Sequence, residues 1–154
     1  MSAPSTLSVQ IIGLDSFIAD MKKAGMDAKL LVSAALFNSV TRMQSNIRER
    51  APHKTGALQR SILTTVSYPT AMVTANEKYA QYVEYGTAPH IIAPVNKKAL
   101  YWKGASNPYR LVHHPGTKAN PFFSTGVNDS EAYIYETFMK VVERLITEMA
   151  GHPV

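Results

Sequence analysis

Ten positions, Leu14, Ile18, Met21, Gly25, Ala28, Val32, Leu36, Val40, Met43 and Ile47, advance 33 residues in nine steps, about 3.67 residues per step. That period buries one stripe of an α-helix, so the first third of the chain commits to a long helix needing a second apolar surface. Asp15 and Asp20 stand near the positive end of its dipole, Arg48 and Arg50 near the negative end, and Pro52 supplies a stop. An interior glycine costs roughly 1 kcal/mol relative to alanine, so a break or bend is expected at Gly25.

A second helix is expected at the C-terminal end, where Val127, Glu131, Ile134, Phe138, Val141, Leu145 and Met149 repeat at helical spacing and Val142 and Ile146 widen the stripe. Asn128-Asp129-Ser130-Glu131 resembles a capping box, and Pro121 can open a preceding helical turn. The stretches between read as sheet. Leu7 to Ile12 ends at Gly13 as a short strand; Ser61–Ser67 and Ala71–Ala75 form a hairpin about Tyr68-Pro69-Thr70. Ala99–Trp102 and Tyr109–Val112 are two further strand candidates flanking the turn-rich 103–108. Tyr79 to Tyr85, where Tyr79, Tyr82 and Val83 share a face, suits one or two helical turns ended by Gly86, with a strand as the alternative. The expected fold is α+β: a long N-terminal helix and a C-terminal helix packed on an antiparallel sheet. At 154 residues a single domain is expected over 1–154, with 1–6 and 151–154 as flexible ends.

The chain has no cysteine, which excludes disulfides, thiolate nucleophiles and thiolate zinc sites. No apolar run approaches the roughly 18 residues that span a bilayer, and Met1-Ser2-Ala3-Pro4-Ser5 does not read as a signal peptide, so a soluble, unexported chain is expected. Charge is uneven. From Arg42 to Lys118 eleven Lys or Arg face three acids, a local +8, while the two ends together hold five basic and eight acidic residues, −3. Such a middle suits a polyanion, nucleic acid first, or an acidic patch on a partner; scattered solvated lysines are the plain alternative.

Two segments concentrate the remaining signal: Tyr79 to His90 and Val112 to Phe123. Each combines aromatics, turn formers, histidine and a Gly-Thr step, a composition suited to shaped recognition loops. His90, His113 and His114 could meet, but neighbours in a strand point to opposite faces and no His-Glu-x-x-His or Asp-rich loop accompanies them, so hydrogen-bonding loop histidines are the better reading. Gly-x-Ser-x-Gly, Walker and Gly-x-Gly-x-x-Gly motifs are missing, and Glu84 has no partner carboxylate nearby in sequence, so it reads as a structural acceptor. A hydrolase built on His90, His113 and Glu84 is thus the weakest alternative, and neither an enzyme nor a cofactor is expected. Lys97, Lys98, Tyr101, Trp102, Lys103, Tyr109 and Arg110 could stack on bases. Sheet spacing instead sends Tyr101 and Trp102 to opposite sides, one into the core and one out as an anchor for protein contact.

Three blocks in order, Ala51-Pro52-His53-Lys54-Thr55-Gly56-Ala57-Leu58-Gln59-Arg60-Ser61-Ile62, then Tyr79 to His90, then His114 to Phe122, resemble the tail-completion or head-tail joining proteins of long-tailed bacteriophages. The resemblance covers roughly residues 7 to 150. It departs where Gln59 and Arg60 shift the charge before Ser61-Ile62 and where His113-His114 doubles an imidazole, which leaves partner specificity open. It implies a non-enzymatic virion protein of the neck, assembled in the host cytoplasm as a ring, six subunits by analogy, around the DNA channel, beside other neck and tail proteins and with no membrane partner. Tyr79, Tyr82, Glu84, Tyr85, Gly86, Thr87, Pro89, His90, His114, Pro115, Gly116, Thr117 and Phe122 are the expected subunit or partner interface. Arg48, Arg50, Lys54, Arg60, Lys97, Lys98 and Lys103 are the expected DNA-facing positions, acting through phosphates. A tail terminator is the near alternative, and a non-specific nucleic-acid-binding domain the alternative from another class.

Overall fold

In the computed structural model, which describes residues 6–23 and 28–150, the β-branched run after the first long helix folds back on itself as expected. Strands β2 (Ile62–Ser67) and β3 (Thr70–Ala75) form an antiparallel hairpin closed by Tyr68-Pro69, a cis peptide. Strand β1 (Leu7–Ile11) adds to the other edge of β3, from Leu7↔Ala75 to Ile11↔Ala71, giving the order β1-β3-β2. Period two decides the faces: Ala71, Val73 and Ala75 turn inward from β3, joined by Leu7 and Ile62, while Thr70, Met72 and Thr74 point away.

Helix α1 (Asp15–Lys23) precedes the long α2 (Lys29–Arg50), and a single turn, α3 (Ala57–Arg60), leads from α2 into β2. The expected break at Gly25 lies outside the described residues. Helix α2 is the middle layer. It buries Val32, Ala35, Leu36, Ser39, Val40, Met43 and Ile47, one arc of about 140° at 100° per residue, whose two edges meet the sheet and the pair α5 (Phe122–Asn128) and α6 (Glu131–Ala150). Polar ties mark both sides. Gln44 Nε2 donates to the Ile62 carbonyl at 2.8 Å on the sheet side, and Asn46 Nδ2 donates to Ser130 Oγ at 2.9 Å on the other. Gly126 sets the approach of α5: a Cβ there would lie 2.6 Å from Ile47 Cα. The architecture is α+β, with α6 reaching the sheet by way of α2.

Three expectations are corrected. Asn128 closes α5 and Glu131 opens α6, so the capping box does not form; the Ser130 hydroxyl instead donates back to the Gly126 carbonyl at 2.7 Å. Residues 99–102 and 109–112 do not form the two expected strands. The ladder lies elsewhere, between β4 (His90–Ile92) and β5 (Val112–His114), and a single bridge, Leu100↔Tyr109, remains beyond it. The reason is geometric, since Ala93 to Ala99 must bulge opposite only Arg110 and Leu111. Finally, Ile146 does not widen the core stripe of α6: it is 58% exposed, whereas Val141 and Leu145 are buried.

Candidate assembly surface

Two Gly-Thr steps, far apart in sequence, close on each other. Short helix α4 (Ala80–Tyr85) stops at Gly86, whose φ of 72° suits glycine, and the chain then pairs Thr87 with Thr117 through reciprocal backbone hydrogen bonds of 2.9 and 3.0 Å. Gly116, at φ 87°, faces this crossing from the other strand. A Cβ on Gly86 would strike the Thr117 carbonyl, and one on Gly116 the Thr87 carbonyl. Each Gly-Thr step therefore makes room for the other.

Glu84 locks the base of this crossing. Only 3% exposed, it accepts through its carboxylate the backbone N–H of Phe123 at 2.8 Å and of Ser124 at 3.0 Å, and the Ser124 hydroxyl at 2.6 Å. It satisfies otherwise unpartnered amides in the first turn of α5. The structural role read from the sequence is thus confirmed, and Glu84 leaves the list of docking residues. Phe122 leaves it too: 1% exposed, it packs edge-on to Phe123 in the core. The inward face of α4 is Ala80, Val83 and Glu84, so the expected sharing of one face by Tyr79, Tyr82 and Val83 does not hold. Tyr79, Tyr82 and Tyr85 are exposed.

Beyond Thr87 and Thr117 the chain projects as an arm, residues 87–117. His90 and His114 stack across β4 and β5 with centroids 4.9 Å apart, and His113 falls on the opposite face. His90 Nδ1 pairs with the Ala88 carbonyl at 2.9 Å, and His114 Nδ1 accepts the Gly116 N–H at 3.1 Å, the hydrogen-bonding role expected of these rings. Among the described residues no three His, Asp or Glu come together to hold a metal. Farther out, Trp102 stacks on Tyr109 at 5.3 Å. Neither Tyr101 nor Trp102 is core, correcting the expectation that one would be: both are exposed, because they lie beyond the two-stranded β4–β5 ladder and outside the hydrophobic core. Among the described residues, no member of the hydrophobic core or of the side chains packed against it lies between 86 and 121. Ile91, Ile92, Val95, Tyr101, Trp102, Tyr109 and Leu111 stand exposed along the arm, Val95 to 94%. Its hydroxyl at the base, Thr87 Oγ1, is buried without a partner.

The basic positions divide. Arg48 donates to the Gln59 carbonyl at 3.1 Å and the Ile62 carbonyl at 2.7 Å, while Gln59 Nε2 returns a bond to the Arg48 carbonyl at 2.8 Å. Arg48 therefore ties α2 to the hairpin, and Arg50 pairs with Asp129. Lys54 and Arg60 are exposed in the connection between α2 and β2, and Lys97, Lys98 and Lys103 are exposed on the arm. The structure does not gather these two groups on one element.

Residues 15–86 match the family model described as "Bacteriophage HK97-gp10, putative tail-component", 72 of the 154 residues, from the start of α1 to the glycine that ends α4. No curated protein and no solved structure matches the chain. Over that stretch the chain is thus similar to a phage tail component, a structural part of a virion, and the resemblance carried by the three sequence blocks points to the same class. No helix of the described residues is long and apolar enough to cross a membrane. Sequence reasoning missed one surface, a second apolar stripe on α6 formed by Tyr135, Met139, Val142 and Ile146, at steps of four, three and four. The signal was present as two stripes offset along one helix, and merging them into one hid it.

Proposed function

We propose that this chain is a neck component of a long-tailed phage or prophage particle, completing the head–tail interface as a ring around the DNA channel, of six subunits by analogy. The observation that carries the reading is the 87–117 arm, whose aromatic and aliphatic side chains find no core within their own subunit. Exposed apolar surface on that scale belongs to a protein contact, and a ring requires a heterologous one. The tail-component match over 15–86 supplies the particle. The chain works without chemistry of its own, as one domain within the virion after assembly in the host cytoplasm, against other neck and tail proteins. Tyr79, Tyr82, Tyr85, Thr87, Pro89, His90, His114, Pro115 and Thr117 form the contact region at the arm's base, with Gly86 and Gly116 shaping it. Lys54 and Arg60 face the packaged DNA and offset phosphate charge without reading sequence. Lys97, Lys98 and Lys103 go where the arm docks.

Electron microscopy of particles made without this protein tests the reading. Filled heads and finished tails that fail to join are the expected result; tails of uncontrolled length would make the protein a tail terminator and overturn it.

A further inference from the structure

We infer that the arm of one copy docks on the outer stripe of α6 of the next copy, and that this pairing is the repeating contact of the assembly. The inference rests on the ring reading and names its two surfaces. From 87 to 117 the chain carries Lys97, Lys98, Lys103 and Arg110 and no acid, a net of +4, set among exposed Val95, Tyr101, Trp102 and Leu111. Helix α6 is its complement. Over 131–150 it carries Glu131, Glu136, Glu143 and Glu148 against Lys140 and Arg144, a net of −2.

The acids are also in the right place. At about 100° per residue, Tyr135, Met139, Val142 and Ile146 fall within about 60° of one another, roughly a quarter-turn away from the core stripe of Ile134, Phe138, Val141 and Leu145. Glu136 and Glu143 flank that outer stripe on the side away from the core. Tyr135 is 68% exposed, and both glutamates are exposed as well. An apolar stripe edged with carboxylates thus faces a requirement for cover, and an apolar arm edged with lysines faces the same requirement. Within one chain α6 packs on α2 and the arm's strands pack on each other, so arm and stripe are two separate surfaces, and their pairing propagates from copy to copy instead of closing on a pair. A second copy is favoured over DNA as the arm's occupant because the arm is as apolar as it is basic, and phosphate offers nothing to Val95 or Ile91.

Because the chain has no cysteine, introduced ones report cleanly. The full-length Val95→Cys/Tyr135→Cys chain, treated with a short bismaleimide at high protein concentration, should give a ladder of dimer, trimer and higher covalent products. The two single-cysteine chains should stay monomeric. Lys97→Glu/Lys98→Glu in the double-cysteine chain should reduce the ladder roughly tenfold, the loss of about two ion pairs. Adding Glu136→Lys/Glu143→Lys to the same chain should restore it. A double-cysteine chain giving only monomer, products that stop at dimer, or charge reversals that do not rescue each other would overturn the inference. Failure of the ladder alongside unjoined heads and tails would remove the docking and leave the neck reading; a ladder alongside overlong tails would do the reverse.

Discussion

Glu84 shows how much one side chain does at the root of the arm. Its carboxylate holds two backbone amides and a hydroxyl at the start of α5, so removing it leaves the buried Phe123 amide and two part-buried Ser124 donors without their acceptor. Glu84→Ala should cost about 3 kcal/mol. For a chain of this size that is a drop of roughly 6–12 °C in Tm, measurable by scanning calorimetry. Gly116→Ala acts differently. Its φ of 87° disfavours any side chain, and the added Cβ meets the Thr87 carbonyl. The expected outcome is faster amide exchange at Thr87 and Thr117 with a smaller fall in Tm than Glu84→Ala produces. Glu84 was legible as a structural acceptor from its lack of a catalytic partner in sequence. That its acceptor role faces α5, some forty residues on, was not, because only folding brings Val83 to Asn120, where a 2.8 Å backbone hydrogen bond joins them.

At the scale of elements, the core and the arm are separable. The core is sheet, α2 and the α5–α6 pair, and the arm contributes nothing to it. Replacing residues 88–116 by Asn-Gly, a natural two-residue hairpin link between Thr87 and Thr117, should leave Tm within a few degrees of the parent and abolish self-association of the cysteine-free chain in analytical ultracentrifugation. A large loss of stability would mean that the arm packs on its own subunit. The long helices and the β2–β3 hairpin were legible because periods of 3.6 and 2 survive in the sequence wherever one face is buried. The arm's strands were misplaced for the complementary reason: with neither face buried inside the subunit, His90–Ile92 and Val112–His114 carry no alternation to read. Gly126→Ala probes the opposite extreme, a site where helices touch through backbone. It should cost roughly 1–3 kcal/mol in denaturant unfolding.

For the whole molecule, the uneven charge sets the remaining expectation. If Lys54 and Arg60 face packaged DNA, binding of the full-length chain to duplex DNA should weaken steeply with salt. Lys54→Ala/Arg60→Ala should then reduce the slope of log K against log salt by about two. An unchanged slope would assign these residues to solvent or to a protein partner. Composition and periodicity by themselves determined that this is an α+β protein with two long helices, a β2–β3 hairpin and no cysteine chemistry, and ordered motifs carried the resemblance to phage neck proteins. Those properties are local or additive, so they persist in a linear string. The tertiary structure alone decided that Arg48 and Phe122 serve the interior, that the two Gly-Thr steps clasp each other, and that one chain presents a basic apolar arm and an acid-edged apolar helix. These depend on distances between residues remote in sequence, and such distances exist only after the core has formed.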